Sequence, residues 1–267
     1  MAKQHLWMSR SERRTWKSAT SLADLGQLTA RWLEGKLASQ PGYVPNWGPD
    51  EETTQTPGLV RVLALCNRSG YVTECSQPGL SEPDRFQDWW TQREAVSGIT
   101  DDPDVLAALR QAAARHDLLY IEHGPDTPAG PRPERIAVTT CNGEAYTWFG
   151  GWRAPEDVRF RWKGAGGQAV AAAERAWQVT LANPDPGPSR LLLTVLVEAF
   201  ADPAEARCVC CGCTEDDPCP GGCAWVPELL LLEDLCSNCA VDHLAEQAAA
   251  DDGQDPADTA GPGSAAP

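Results

Sequence analysis

Eight of the eleven cysteines in this chain lie within 32 residues, between Cys208 and Cys239. Cys208 and Cys211 form a C-x2-C-G unit, and Cys236 and Cys239 form a second C-x2-C unit 24 residues later. Two thiolates three positions apart on a tight turn can bind one ion, and a following glycine allows the positive φ that such turns use. The two pairs supply four sulfur ligands, so the spacing predicts a tetrahedral structural zinc site.

Cys213, Cys219 and Cys223 lie between these two pairs, with Cys210 as an odd fourth thiol. They can hold a second ion, with Cys210, His243 or a bridging thiolate completing it, or they can form a disulfide or ligate an iron–sulfur cluster. The sequence leaves these alternatives open. Residues 208–239 resemble a short cysteine-rich module that recurs in uncharacterised bacterial and phage proteins. We expect residues 201–249 to form a treble-clef or ribbon-like zinc module.

The charge of the chain argues against nucleic acid as a partner. Twelve carboxylates and no lysine or arginine lie between Cys208 and the end, and the whole chain has a formal charge of −16. Affinity for DNA comes largely from lysine and arginine contacts to phosphates, and an acidic surface also disfavours anionic membranes. No apolar stretch is long enough to span a bilayer, and no signal peptide is expected at the N-terminus. Clustered thiols suit a reducing compartment, so we expect a cytoplasmic protein.

The remaining sequence predicts an α+β domain over residues 18–200, between a loose basic arm at 1–17 and a disordered tail at 250–267. Helices and strands do not alternate regularly, which favours a mixed sheet flanked by helices over a doubly wound fold. Asn142-Gly143 is a strong hairpin signal, and Gly70 is expected to end a helix in the left-handed region. The expected helices are 21–37, 59–66, 102–116, 169–181 and 190–200, and the expected strands are 71–75, 92–99, 118–122, 136–141, 144–149 and 158–162.

A motif in the first half of the domain carries a family resemblance. It runs from Glu52-Thr53, through a predicted helix, to Asn67-Arg68-Ser-Gly70-Tyr-Val-Thr73-Glu-Cys-Ser76-Gln77-Pro78. It is similar to a segment of the C-terminal regulatory domain of eukaryotic methylenetetrahydrofolate reductase, which reads E-T, a helix, then N-R-x-G-x-L-T-x-x-S-Q-P. The order of the pieces agrees over about residues 20–150. The same stretch also resembles an uncharacterised bacterial domain family.

The reductase domain binds S-adenosylmethionine and S-adenosylhomocysteine, so the resemblance implies a nucleoside ligand here. It nominates Glu52, Thr53, Thr73 and Ser76 as ligand contacts. A carboxylate suits an ammonium group or ribose hydroxyls, and threonine and serine hydroxyls suit a carboxylate or an adenine edge. The spacing from Glu52-Thr53 to Asn67 is three residues longer than in the reductase, so Thr56 is an alternative to Thr53.

The chain contains no P-loop, H-E-x-x-H or G-x-S-x-G motif, so no catalytic residue is predicted. We therefore expect a non-catalytic binding or accessory protein that contains structural zinc and binds S-adenosylmethionine or a related nucleoside. Two alternatives remain: a zinc-dependent adaptor that binds a protein partner through its cysteine module, or an enzyme that acts on S-adenosylmethionine.

Overall fold

The computed structural model describes residues 8–42, 58–126 and 134–200, together with residues 213, 218–220, 222, 223 and 237 near the C-terminus. The chain divides into two compact units, Met1–Ala201 and Asp202–Pro267. The first unit combines helices with two four-stranded antiparallel sheets, which confirms the α+β class.

The N-terminal segment forms a helix, α1 (Arg10–Lys17), so the prediction of a loose arm is wrong for these residues. Ser9 and Glu12 form a capping box, in which each side chain accepts a bond from the other's backbone N–H. Trp16 is fully buried, and its Nε1 donates to the backbone oxygen of Ser39 at 3.0 Å. The buried indole anchors α1 to the domain, and the charged residues around it stay at the surface.

Helices α2 (Leu22–Leu33) and α3 (Leu59–Arg68) pack against each other. Ser21 caps α2 as predicted, together with Asp24 in a second capping box, although the helix ends earlier than expected. Gly26 lies where the two helices meet, and a Cβ there would come within 2.2 Å of the Asn67 carbonyl oxygen. Glycine at this position therefore permits the close packing. Gly70 follows α3 with a φ of 93°, which confirms the predicted left-handed residue.

The first sheet has the strand order β1 (Val72–Gln77), β4 (Ala95–Thr100), β8 (Trp177–Ala182) and β5 (Leu119–His123). Helices α4 (Pro103–Arg115) and α7 (Leu191–Phe200) contact each other beside this sheet, as do α3 and α7. The β8 strand contradicts the predicted helix over 169–181, because α6 (Gly167–Ala173) ends before it. β8 pairs with two neighbouring strands, and its last four residues are buried.

The second sheet has the order β2 (Leu80–Pro83), β3 (Trp89–Gln92), β6 (Ile136–Cys141) and β7 (Glu144–Phe149). The β6–β7 hairpin confirms the prediction from Asn142-Gly143, whose φ values are 52° and 84°. All strand pairs in both sheets are antiparallel, so the mixed sheet expected from the sequence is replaced by two antiparallel sheets.

The strand predicted over 158–162 is instead a helix, α5 (Pro155–Arg161). Proline at its first position, acidic residues in its first turn and arginine in its last turn all favour a helix. Trp162 follows this helix and is fully buried. No helix in the described ranges is long and apolar enough to cross a membrane. The largest fully buried side chains of the first unit are Trp16, Trp162, Tyr71, Leu22, Leu25, Leu59, Ile99, Leu109, Leu181, Leu192, Leu193 and Leu196.

Candidate metal centre and ligand-contact residues

Three cysteines of the second unit, Cys213, Cys219 and Cys223, bring their sulfur atoms within 4.8 Å of one another. The Sγ atoms of Cys213 and Cys223 are 3.5 Å apart, far longer than the disulfide bond length of about 2.05 Å. In a tetrahedral zinc site with Zn–S bonds of about 2.3 Å, neighbouring sulfurs lie about 3.8 Å apart. The spacing of these three thiols therefore suits a shared metal ion.

The chain turn that carries two of these thiols is compact. Gly222 donates its backbone N–H to the Cys219 carbonyl oxygen at 2.8 Å, and its φ is 86°. The Cys219 N–H donates to the Cys223 sulfur at 3.3 Å. A positive φ favours glycine, and an N–H bond to sulfur stabilises the thiolate that a metal requires. The turn in the C-P-G-G-C sequence thus explains how the sulfur atoms of Cys219 and Cys223 come close enough to bind one ion.

The four cysteines predicted as the first zinc site, Cys208, Cys211, Cys236 and Cys239, lie outside the described residues, and so do Cys210 and His243. Their four-sulfur site stays a prediction. The structure brings together the three other cysteines, which the sequence left open between a metal, a cluster and a disulfide.

Two of the nominated nucleoside contacts, Thr73 and Ser76, lie on β1, whereas Glu52 and Thr53 fall outside the described residues, as does Thr56. The register of β1 shifts between Thr73 and Cys75, so Thr73 lies opposite Gly98 and Ser76 opposite Val96. Cross-strand partners share a face of a sheet, and residues two apart on β4 also share one. The irregularity therefore places Thr73 and Ser76 on the same face.

Thr73 has a structural role at this position. Its hydroxyl accepts a bond from Asn67 Nδ2 at 2.6 Å, and its N–H donates to Asn67 Oδ1 at 3.2 Å. The same Asn67 amide donates to the Leu63 carbonyl oxygen at 2.7 Å. These bonds tie the end of α3 to the start of β1. The Thr73 hydroxyl keeps one proton to donate, so it can still serve as a donor to a ligand.

A buried ion pair beside these residues was missed by the sequence analysis. Glu74, only 3% exposed, pairs with Arg153 and accepts a bond from Trp162 Nε1 at 3.0 Å. The side-chain amide of Gln178 binds the backbone of Arg153: its Oε1 accepts the Arg153 N–H at 2.9 Å, and its Nε2 donates to the Arg153 carbonyl oxygen at 2.8 Å. Burial acts to lower the pKa of the Arg153 guanidinium, but the Glu74 carboxylate outweighs this and raises that pKa. The available signal was a glutamate, the one charged residue in the predicted strand 71–75.

A second buried carboxylate, Glu94, was also missed. It accepts the backbone N–H groups of Leu192 at 3.0 Å and Leu193 at 3.4 Å, at the start of α7. Burial raises the pKa of Glu94, although these bonds act in the opposite direction. Because the carboxylate satisfies N–H groups at a helix start, its role is structural capping.

Most of the first unit matches the model of a known protein family. Residues 11–203 match the family described as Domain of unknown function (DUF6919). The chain belongs to this family. The matched residues end before Cys208, so the cysteine-rich segment lies outside the part that defines the family. No curated protein matches the chain.

Proposed function

We propose that this chain is a non-catalytic binding or accessory protein in which the C-terminal cysteines hold zinc as a structural ion. The observation that carries the proposal is the convergence of the Cys213, Cys219 and Cys223 sulfurs within 4.8 Å. An all-sulfur tetrahedral set favours zinc or an iron–sulfur cluster, and neither common ferredoxin spacing occurs in this sequence. Closed sulfur sites are typical of structural zinc, whereas catalytic zinc keeps one position for water or substrate.

The proposal is tested by measuring bound metal in the purified full chain by plasma mass spectrometry. We expect zinc, and we expect Cys219→Ser and Cys223→Ser each to lower its content. Cys141→Ser is the matched control, because Cys141 lies in β6 of the first unit and is not one of the eight cysteines between Cys208 and Cys239. A chain without bound metal whose thiols are oxidised would contradict the proposal, and bound iron with labile sulfide would replace zinc with a cluster.

A second proposed activity is binding of S-adenosylmethionine or a related nucleoside by the first unit. It is supported by the shared face of Thr73 and Ser76, which the irregularity in β1 brings about. Isothermal titration of the full chain with S-adenosylmethionine and S-adenosylhomocysteine tests it. We expect measurable heat that Ser76→Ala reduces and that Thr91→Ala, a hydroxyl change in the other sheet, leaves unchanged. No heat and no thermal shift at millimolar ligand would end the nucleoside proposal and leave the zinc proposal intact.

A further inference from the structure

The second sheet carries a group of exposed aromatic rings. Within the described ranges, six large apolar side chains are exposed, and four of them lie on this sheet or in its β2–β3 turn. The other two, Phe160 and Leu191, lie on helices α5 and α7. Clustered exposed rings are typical of a surface that meets a partner. The four are Phe86, Trp89, Tyr146 and Trp148.

Aromatic rings and a carboxylate lie on the same face of the second sheet. Trp90 and Tyr146 meet edge to face, with ring centroids 4.8 Å apart and an interplanar angle of 87°. Cys141 lies opposite Trp90, and Glu144 lies opposite Cys141. Because cross-strand partners share a face, the ring pair and Glu144 lie on the same side of the sheet. We call this surface, made by Trp90, Cys141, Glu144 and Tyr146, the aromatic–acidic face.

Two further carboxylates stand close to this face. Asp84 accepts a bond from Trp90 Nε1 at 3.2 Å, and it also accepts the backbone N–H groups of Phe86 at 2.7 Å and Asp88 at 3.1 Å. Asp88 in turn accepts from Asn142 Nδ2 at 2.9 Å. Besides burial, the charges of Asp88, Asp84 and Glu144 raise the pKa of the Cys141 thiol. Within the described residues none of the three forms an ion pair.

The same sheet already shows how a guanidinium can sit on its rings. The Arg85 guanidinium lies 4.6 Å from the centroid of Phe86, and that of Arg135 lies 4.5 Å from the centroid of Trp148. Such contacts are attractive because the face of an aromatic ring is electronegative. The Trp90–Tyr146 pair offers the same ring chemistry beside carboxylates that have no cation partner in the described ranges.

We propose that the aromatic–acidic face docks a basic segment of another protein, one that presents arginine or lysine side chains to Trp90, Tyr146 and Glu144. Charge complementarity selects this occupant. A second copy of the chain would bring together two molecules of formal charge −16, and a nucleic acid would bring phosphates to carboxylates. Strand addition at the β7 edge is disfavoured by the register shifts between β6 and β7. The proposal depends on neither zinc nor a nucleoside.

The test is fluorescence anisotropy of a labelled peptide of alternating glycine and arginine, titrated with the full chain at physiological salt. We expect saturable binding, and no binding of a matched glycine–glutamate peptide. Tyr146→Ser should weaken binding by about tenfold because it removes a cation–π partner. Glu144→Gln should weaken it by about threefold, since it removes one exposed charge. Both residues are exposed, so the fold should survive, and near-ultraviolet circular dichroism checks this.

The matched controls are Phe160→Ser and Glu156→Gln, which change an exposed ring and an exposed carboxylate one turn apart on α5. Each should leave the affinity unchanged within about twofold. Equal weakening by the sheet variants and the α5 variants would show only attraction to an acidic protein, and would overturn the proposal. Absence of peptide binding would overturn it too, as would tighter binding of an oligothymidylate probe.

Discussion

The carboxylate of Glu74 accepts a hydrogen bond from the indole nitrogen of Trp162, 88 residues further along the chain, at 3.0 Å. The same carboxylate pairs with Arg153. One buried glutamate thus joins β1 to the residues on both sides of α5. Glu74 also lies at the irregularity in β1 that places Thr73 and Ser76 on one face.

Replacing Glu74 by glutamine should lower the free energy of unfolding by about 2 kcal/mol, because Arg153, whose side chain is 31% exposed, would lose its charged partner. Urea denaturation of the full chain measures this. The matched control is Glu174→Gln, which breaks a pair with the exposed Arg159 and should cost about 0.5 kcal/mol. Similar losses for the two variants would mean that the Glu74 pair behaves as a surface ion pair.

Thr73→Val keeps the side-chain shape but removes the hydroxyl that accepts the Asn67 amide. One buried N–H would then lack an acceptor, so we expect a loss of about 2 kcal/mol in the free energy of unfolding. Thr91→Val in β3 is the control, and its effect should stay within about 0.5 kcal/mol. If Thr73→Val is neutral in stability but abolishes nucleoside binding, Thr73 is a ligand contact first and a structural residue second.

Glu94 should make stability fall as pH rises. Burial raises its pKa in the folded state above the ordinary value of about 4.3. A raised pKa means that the folded state binds the proton more tightly, so the stabilising contribution of protonated Glu94 is present at low pH. It is lost as the pH rises through the folded-state pKa. Glu94→Gln cannot titrate at this position.

Urea denaturation of wild type and Glu94→Gln at several pH values isolates this effect, since all other groups are common to both proteins. The stability of wild type relative to the variant should decrease between about pH 4 and the raised pKa. A difference that stays constant would show that the hydrogen bonds from Leu192 and Leu193 balance burial, and one that grows in favour of wild type with rising pH would show that they outweigh it.

Local signals predicted those elements whose ends are marked by turn or cap residues. Asn142-Gly143 gave both strands of the β6–β7 hairpin, and Ser21 gave the start of α2. The prediction failed at β8, where an alanine-rich segment favours helix but pairing with β4 and β5 makes the residues from Trp177 onward a strand. The strand forms because β4 and β5, which are distant in sequence, pair with it, and local residue propensities contain no information about such pairing.

How well a site could be predicted depended on how close its residues lie in the sequence. Spacing alone predicted a metal site in the C-terminal cysteines, and the three that the structure describes bring their sulfur atoms together, because thiols close in sequence on turns are also close in space. The Glu74–Arg153 pair joins residues 79 apart, and the partner of a buried charge at that distance cannot be read from one sequence. The Trp90–Tyr146 contact depends on how β3 and β7 are arranged around β6, which the hairpin signal did not specify.

The ligand set predicted from sequence makes a separate prediction about Cys208 and Cys236. Cys208→Ser or Cys236→Ser should each remove metal and make the second unit, Asp202–Pro267, sensitive to protease, because metal-binding energy is folding energy in such modules. The first unit has its own core and should resist digestion in both variants. Limited proteolysis with mass spectrometry of the fragments measures both effects, with Cys141→Ser as the control. If either variant keeps its zinc and its protease resistance, the two C-x2-C pairs are not the ligands, and the ion belongs to Cys213, Cys219 and Cys223 with a different fourth group.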